Sequence, residues 1–184
     1  MAIAASGLLL LTVAACGGKS PAQLADDALA AGVAAHSAGN IDEAKRQYEL
    51  CLTHDPRQKV CLYDLGLIAQ TAGQNDVAEN YYRVSLATDP DYSPALFNLA
   101  LVRAGLGDVA GAIAIYQHVI TVDPGNAKAH LNLGVLLRQA GDAAGGDAEI
   151  ANALQLDPTL TDPSAASPAP GGQAIPAPSA TTNP

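Results

Sequence analysis

The sequence is poor in aromatic residues and in positive charge. It contains no Trp, one Phe and one Met, and aromatic residues make up 4% of its 184 residues. Lys and Arg number 9 against 18 Asp and Glu, so the formal net charge is −9. An acidic surface repels the phosphate backbone, and we therefore predict no nucleic-acid partner. Windows rich in Ala and Leu, without sustained strand alternation, predict an all-α fold.

Catalytic and metal-binding patterns are also missing from the sequence. The histidines fall at unrelated positions, and none has a Cys, a His or a carboxylate at metal-ligand spacing on one helix face: His36, His54, His118 and His130. The segment Gly17-Gly18-Lys19-Ser20 lacks the upstream glycine and the strand of a phosphate-binding loop. We therefore predict that the protein is not an enzyme and uses no metal or cofactor.

The first apolar run of the chain is short and ends at a cysteine. Residues 1–15 carry no charge, and the run from Ile3 to Val13 is too short for the ~20 residues that span a bilayer. Its length suits a secretory signal. The segment Val13-Ala14-Ala15-Cys16 resembles the lipobox of bacterial lipoproteins, although the usual Lys or Arg before the apolar run is missing. The alternatives are an ordinary cleaved signal with a chance cysteine, or an N-terminal helix.

The lipobox resemblance implies cleavage before Cys16 and attachment of a diacylglyceryl group to its sulfur. Residues 1–15 would then be a signal peptide and residues 16–20 a lipidated tether. The protein would be extracytoplasmic and anchored by lipid to a bacterial membrane.

The C-terminal segment, residues 161–184, has a different composition from the rest of the chain. It holds six prolines among Ala, Ser, Thr and Gly, and its only charged side chain is Asp162. Such a segment buries too little apolar area to offset its ordering entropy. We predict a disordered Pro/Ala-rich tail that acts as a passive spacer.

Internal repetition dominates the middle of the chain. Four kinds of residue recur at intervals of 34 positions. They are the Asp-Pro pairs at 55–56, 89–90, 123–124 and 157–158, the glycines Gly39, Gly73, Gly107 and Gly141, the alanines Ala44, Ala78 and Ala112, and the tyrosines Tyr48, Tyr82 and Tyr116. A Leu-Gly pair occurs at 65–66 and 133–134, with Leu99-Ala100 between them. This pattern resembles the tetratricopeptide repeat family.

The resemblance implies an α-solenoid of four 34-residue helix-turn-helix repeats in a right-handed superhelix. The repeats fall at about 25–58, 59–92, 93–126 and 127–160, within a domain of residues 21–160. The recurring glycine ends the first helix of each repeat, and the proline follows the second. Small residues at Gly66, Ala100 and Gly134 are expected to face Ala78, Ala112 and Gly146. The pair Ser20-Pro21 with Gln23 predicts that the first helix begins near Pro21.

Two cysteines remain beyond Cys16. Cys51 is late in the second helix of repeat 1, and Cys61 is early in the first helix of repeat 2. These helices are antiparallel neighbours, and in an exported protein two such cysteines often pair. We predict a Cys51–Cys61 disulfide, the alternative being two small residues buried without a bond.

The concave face that the family builds from its first helices is the predicted binding surface for proteins or peptides. In each repeat one partly apolar stripe is left over after the helix has met its neighbours. The predicted groove comprises Tyr63, Asp64, Leu67, Gln70, Phe97, Asn98, Leu101, Lys128, Leu131, Asn132, Val135 and Arg138. The amides of Asn98 and Asn132 suit a peptide backbone, unless Asn is simply common at that position.

These observations predict a membrane-anchored adaptor that binds other proteins in a bacterial envelope process such as secretion, pilus assembly or wall synthesis. One alternative is a non-catalytic accessory subunit that positions an envelope enzyme. Another is a structural protein that self-associates, for example as a homodimer. The basic pattern by which some family members hold a C-terminal carboxylate is absent, since Leu29, Val33 and Pro94 occupy those positions.

Overall fold

The computed structural model describes residues 18–163, which form eight α-helices and no strand. The helices are α1 (Pro21–Ser37), α2 (Ile41–His54), α3 (Lys59–Thr71), α4 (Asn75–Thr88), α5 (Ser93–Gly105), α6 (Val109–Val122), α7 (Ala127–Gln139) and α8 (Ala143–Leu156). Each helix packs on the next along the chain, and α3 also contacts α5. This arrangement is the predicted all-α solenoid of four helix pairs. The predicted signal peptide 1–15, Cys16 and the tail from residue 164 lie outside the described residues.

The ends of the helices follow from the recurring polar residues. Ser20 caps α1 in a capping box with Gln23, and Pro21 is the first helical residue, as predicted. The Asp of each Asp-Pro pair closes a second helix. Asp89 is an example, because its backbone N–H donates to Ser85 O while its carboxylate accepts from the N–H of Asp91 at 3.2 Å. Asp55 and Asp157 make the same side-chain turn.

The recurring glycines end the first helices in a conformation that other residues rarely adopt. Their φ angles are 75°, 74°, 84° and 95° at Gly39, Gly73, Gly107 and Gly141, and no other described residue has a positive φ. The chain can therefore reverse within a few residues and place the second helix antiparallel to the first.

In repeats 1 and 2 the core depends on a close approach between a glycine of the first helix and the recurring tyrosine of the second. A Cβ added at Gly66 would lie 2.5 Å from Tyr82 Cε1. Gly32, at the equivalent position of repeat 1, has the same relation to Tyr48. The Tyr82 ring is thus the nearest neighbour of an added Cβ at Gly66, and the expected facing of Gly66 and Ala78 stays a prediction. In repeat 4, where Ile150 replaces the tyrosine, an added Cβ at Gly134 would lie 2.7 Å from Gly146 O, in agreement with the expected facing of Gly134 and Gly146.

The core continues between repeats because each second helix also meets the next first helix. Buried residues of α1 and α2 form one cluster with Cys61 and Leu65 of α3. In the structure Cys51 and Cys61 are joined by a disulfide, with their Cα atoms 6.5 Å apart. The bond links repeat 1 to repeat 2. Within the described part of the chain, no helix is both long and apolar enough to cross a membrane.

The contact between Gly66 and the tyrosine ring predicts the effect of a single methyl group. Gly66→Ala should lower the free energy of unfolding by about 1–3 kcal/mol, because Tyr82 has zero exposed area and cannot move aside cheaply. Gly105→Ala is the matched control, since it is also helical and an added Cβ there meets nothing within 4 Å. The control should be neutral or stabilising by up to about 1 kcal/mol. Denaturant unfolding of both variants measures the difference, and equal effects would contradict the packing described.

The disulfide gives a second prediction. Cys51 and Cys61 are 10 residues apart, so reduction should cost roughly 2–3 kcal/mol of stability in the chain-entropy account. Thiol counting on denatured, unreduced protein should find neither of these two thiols. The variant Cys51→Ala with Cys61→Ala serves as the reference, because its stability should not respond to reductant. Two reactive thiols in the exported wild-type protein would exclude the bond.

Candidate functional site

Four predicted groove residues of repeats 2 and 3, together with Lys128 of repeat 4, line one open pocket of about 530 Å³. This α3–α5 pocket is formed by the starts of α3 and α5 and by the turn before α7. The predicted residues Tyr63, Leu67, Phe97, Asn98 and Lys128 contribute to it. Ser93, Pro94, Asp123 and Asn126 complete the lining.

A second pocket, of about 210 Å³, lies between α5 and α7. Four predicted residues line this α5–α7 pocket: Leu101, Leu131, Asn132 and Val135. Ala104, Tyr116, Leu136 and Pro163 complete it. The two pockets share α5, so the structure brings most of the predicted groove together on one surface of the first helices.

Aromatic rings form the floor of this surface. The Tyr63 ring is half-buried and lies 5.7 Å, edge to face, from the Tyr92 ring and 6.0 Å from the Tyr82 ring. Phe97 meets the buried Tyr116 edge to face at 5.6 Å. Such contacts fix the rings. Phe97 is thus partly a packing residue as well as a groove residue.

The amide side chains of the predicted groove form hydrogen bonds with tyrosine hydroxyls. Asn98 Nδ2 donates to Tyr63 Oη at 3.2 Å, and Asn132 Nδ2 donates to Tyr116 Oη at 3.0 Å. Tyr82 Oη donates to Gln70 Oε1 at 2.6 Å. Burial raises the pKa of Tyr116 to about 12, so its hydroxyl is protonated at neutral pH. The amides of Asn98 and Asn132 therefore hold the tyrosine rings in place. Each amide uses one donor in this bond and has fewer donors left for a peptide backbone.

Asp64 differs from the two asparagines that share its repeat position. Only 9% of its surface is exposed, and it lines a separate pocket of about 290 Å³ with Val33, His36, Ser37 and Tyr48. Burial raises the pKa of the Asp64 carboxyl, while the hydrogen bond from Tyr48 and the charge of His36 act in the opposite direction. Asp64 thus borders the repeat 1 end of the first-helix surface and does not line the two main pockets.

Arg138 and Lys128 have different surroundings in the structure. Lys128 is exposed at the rim of the α3–α5 pocket. The Arg138 guanidinium is bound by two carboxylates, Asp147 at 2.6 Å and Asp162 at 2.9 Å, and both hold its pKa above the usual value. Arg138 is therefore engaged by α8 and by the segment that follows it.

Several lining residues were not predicted, for two different reasons. Asp123 and Asn126 belong to the turn between repeats, where the sequence pattern shows only helix ends. Pro163 belongs to a segment without periodicity, which gives no signal of contact. Among residues 18–163, no group of three or more His, Cys, Asp or Glu side chains is placed to hold a metal ion.

Comparisons with known proteins agree with this architecture. Two tetratricopeptide repeat models match the chain, one over residues 63–121 and the other over residues 103–167. No curated protein matches the sequence. The PilF structure from Pseudomonas aeruginosa is similar with a TM-score of 0.68 and 22% identity, over 77% of this chain and 65% of that chain.

Two further solved structures share the fold. The crystal structure of MamA has a TM-score of 0.67 and 20% identity, over 73% of this chain and 78% of that chain. YrrB, described as a tetratricopeptide repeat protein with an unusual peptide-binding site, has a TM-score of 0.63 and 22% identity, over 73% and 70% of the two chains. The solved structures show the shared fold, and the two family models, which together match residues 63–167, identify this part of the chain as tetratricopeptide repeats.

Proposed function

We propose that this protein is a membrane-anchored adaptor that binds segments of other proteins on the surface formed by α3, α5 and α7. The observation that carries the proposal is the pair of adjoining pockets on that surface. Apolar side chains of successive first helices line both pockets, and Leu101 between them is 40% exposed. An apolar surface of this kind, with polar groups at its rim, is typical of protein interaction sites.

The chemistry of the surface favours an extended or helical segment of low charge. Leu67, Leu101, Leu131 and Val135 present apolar contact over several turns, whereas Lys128 is the one exposed cation at the α3–α5 rim among its described lining residues. The fixed tyrosine and phenylalanine rings give a preformed floor, which lowers the entropy lost on binding. YrrB, which shares the fold, is described as having a peptide-binding site, and this supports the proposal by analogy only.

The proposed membrane anchor is Cys16, on the basis of the lipobox resemblance. Helix α1 begins at Pro21, and four extended residues reach at most ~14 Å. A lipidated Cys16 would therefore hold repeat 1 close to the bilayer. The acidic net charge of −9 would keep the remaining surface from adhering to anionic lipid. An envelope process such as secretion, pilus assembly or wall synthesis is the proposed setting.

Crosslinking in cells tests the binding surface. A photoreactive amino acid at Leu67, which lines the α3–α5 pocket, should give a discrete adduct with another protein. The same group at Leu50 of α2, which is 44% exposed and outside both pockets, is the control position and should give none. Mass spectrometry identifies the partner. An adduct with a second copy of this chain would favour self-association, and equal adducts from both positions would reject the pocketed surface as the site.

Introducing a charge on the surface measures how much it contributes to the affinity for the partner. Leu101→Asp should reduce recovery of that partner at least ~10-fold, because burying a leucine side chain is worth about 1.5–3 kcal/mol. Leu50→Asp introduces the same change at similar exposure on α2 and should leave recovery unchanged. Melting temperatures of the two variants should be similar. A loss of recovery that is equal in both variants would contradict the proposal.

Removal of the proposed lipid site tests the anchor. Cys16→Ala should abolish maturation or release the protein from membranes, since lipidation supplies the membrane affinity. Fractionation and intact-mass measurement of the exported protein follow the change. Cys51→Ala with Cys61→Ala is the control, because it removes the other cysteines and should leave fractionation intact. A Cys16→Ala protein of mature size that stays with membranes would rule out the lipobox interpretation.

A further inference from the structure

The segment after α8 returns along the solenoid and reaches the proposed binding surface. Helix α8 ends at Leu156, and the turn that follows is closed by a hydrogen bond from Leu160 N to Asp157 O at 3.1 Å. Because α7 and α8 are antiparallel, the end of α8 lies near the beginning of α7. Asp162 nevertheless bonds Arg138 in the last turn of α7. The segment therefore runs back along α7, so that Asp162 reaches the Arg138 guanidinium and Pro163 lies near Val135 and Leu136.

The contact with Arg138 fixes this segment beside the groove. Asp162 Oδ2 lies 2.9 Å from Arg138 Nη1, and the Asp162 side chain is only 15% exposed. The same guanidinium is held by Asp147 of α8. A charge-assisted pair of this kind between partly buried groups is stronger than an exposed surface pair. The next residue, Pro163, lines the α5–α7 pocket together with Leu101, Leu131 and Val135.

The chain that continues from Pro163 suits the surface on which it begins. Residues 164–184 contain five prolines and no charged side chain, and Ile175 is their one large apolar residue. In a polyproline II conformation these residues would reach up to ~65 Å, and Ile175 up to ~37 Å from Pro163. The α3–α5 pocket lies one helix further on, and neighbouring helix axes are ~8–10 Å apart. The α3–α5 pocket is thus well within reach of Ile175.

We propose that residues 164–184 bind in cis along the α3–α5–α7 surface, so that a partner must displace the protein's own tail. Binding of the tail would regulate the surface to which partners bind, so this inference rests on the proposed binding function. It replaces the passive spacer that composition alone predicted. A proline-rich segment loses little conformational entropy on binding, and apolar grooves lined by aromatic rings are known to accept such segments.

Tethering makes even a weak contact effective. A short flexible connection gives an effective concentration in the millimolar range. A tail segment that bound in trans with a dissociation constant of ~100 μM would then occupy the groove in cis about nine-tenths of the time. A partner would meet a groove that is about ten-fold less accessible than that of a chain without the tail.

The test compares the chain from residue 17 to 184 with the same chain ending at Pro163. The truncation removes only residues outside the described fold. Methyl and amide NMR spectra of the two proteins should differ at Leu101, Leu131, Val135 and Leu67. A synthetic peptide of residues 164–184 labelled with fluorescein should bind the shortened chain and bind the longer chain at least ~10-fold more weakly. Superimposable spectra, or equal affinity for both chains, would overturn the proposal.

Two matched variants test the anchoring contact in the longer chain. Asp162→Asn removes the carboxylate carried by the tail, and its spectrum should move toward that of the shortened chain. Asp147→Asn removes the other carboxylate bound to Arg138 and should leave the tail in place. Equal effects of the two variants would reject Asp162 as the anchor, and concentration-dependent spectra would reject binding in cis. Crosslinking from Leu67 in the shortened chain still tests the binding function by itself, so a failure of either idea can be recognised.

Discussion

In the first three helix pairs the fold depends on the packing of the first helix against the tyrosine of the second. Tyr48, Tyr82 and Tyr116 are buried to within 1% of full coverage, and Gly32 or Gly66 leaves the space for the ring. The ring fills the core, and its hydroxyl forms a hydrogen bond with a polar residue of a first helix. Tyr116 bonds Asn132 and Tyr82 bonds Gln70, so the tyrosines that stabilise the helix pairs also fix these predicted groove residues. Stability and the shape of the groove therefore have a common source.

The overall fold could be predicted from the sequence because its determinants are local and repeated. A helix-ending glycine, an Asp-Pro turn and an N-terminal Ser-Pro segment each act within a few residues, and repetition removes the ambiguity of any single one. The stripe from Tyr63 to Val135 could also be placed, since helical spacing alone decides which residues share a face. The structure places nine of the predicted groove residues along two pockets on α3, α5 and α7, whereas their role in binding a peptide stays a prediction.

The chemistry of the groove was harder to predict because it depends on contacts between helices. Asn98 and Asp64 occupy equivalent repeat positions, yet Asn98 bonds Tyr63 at the α3–α5 pocket, and Asp64 bonds Tyr48 at a separate pocket beside His36. No spacing rule distinguishes them, since the difference lies in which tyrosine hydroxyl each can reach. Pro163 shows a second limit. A sequence segment without periodicity does not indicate which surface it contacts. The contact of Pro163 with the α5–α7 pocket therefore follows from the structure alone.

The two ends of the solenoid are secured unequally. Repeats 1 and 2 are joined by the Cys51–Cys61 bond, whereas α8 carries Gly145 and Gly146 inside the helix and Ile150 in place of the tyrosine. Neighbouring repeats in a solenoid support one another in a line. Repeat 1 is therefore held to repeat 2 by a covalent bond as well as by packing, whereas repeat 4 is held by packing and by the two carboxylates that bind Arg138. Local opening of α8 would break the Arg138–Asp147 pair and would also release the side chain that holds Asp162 beside α7.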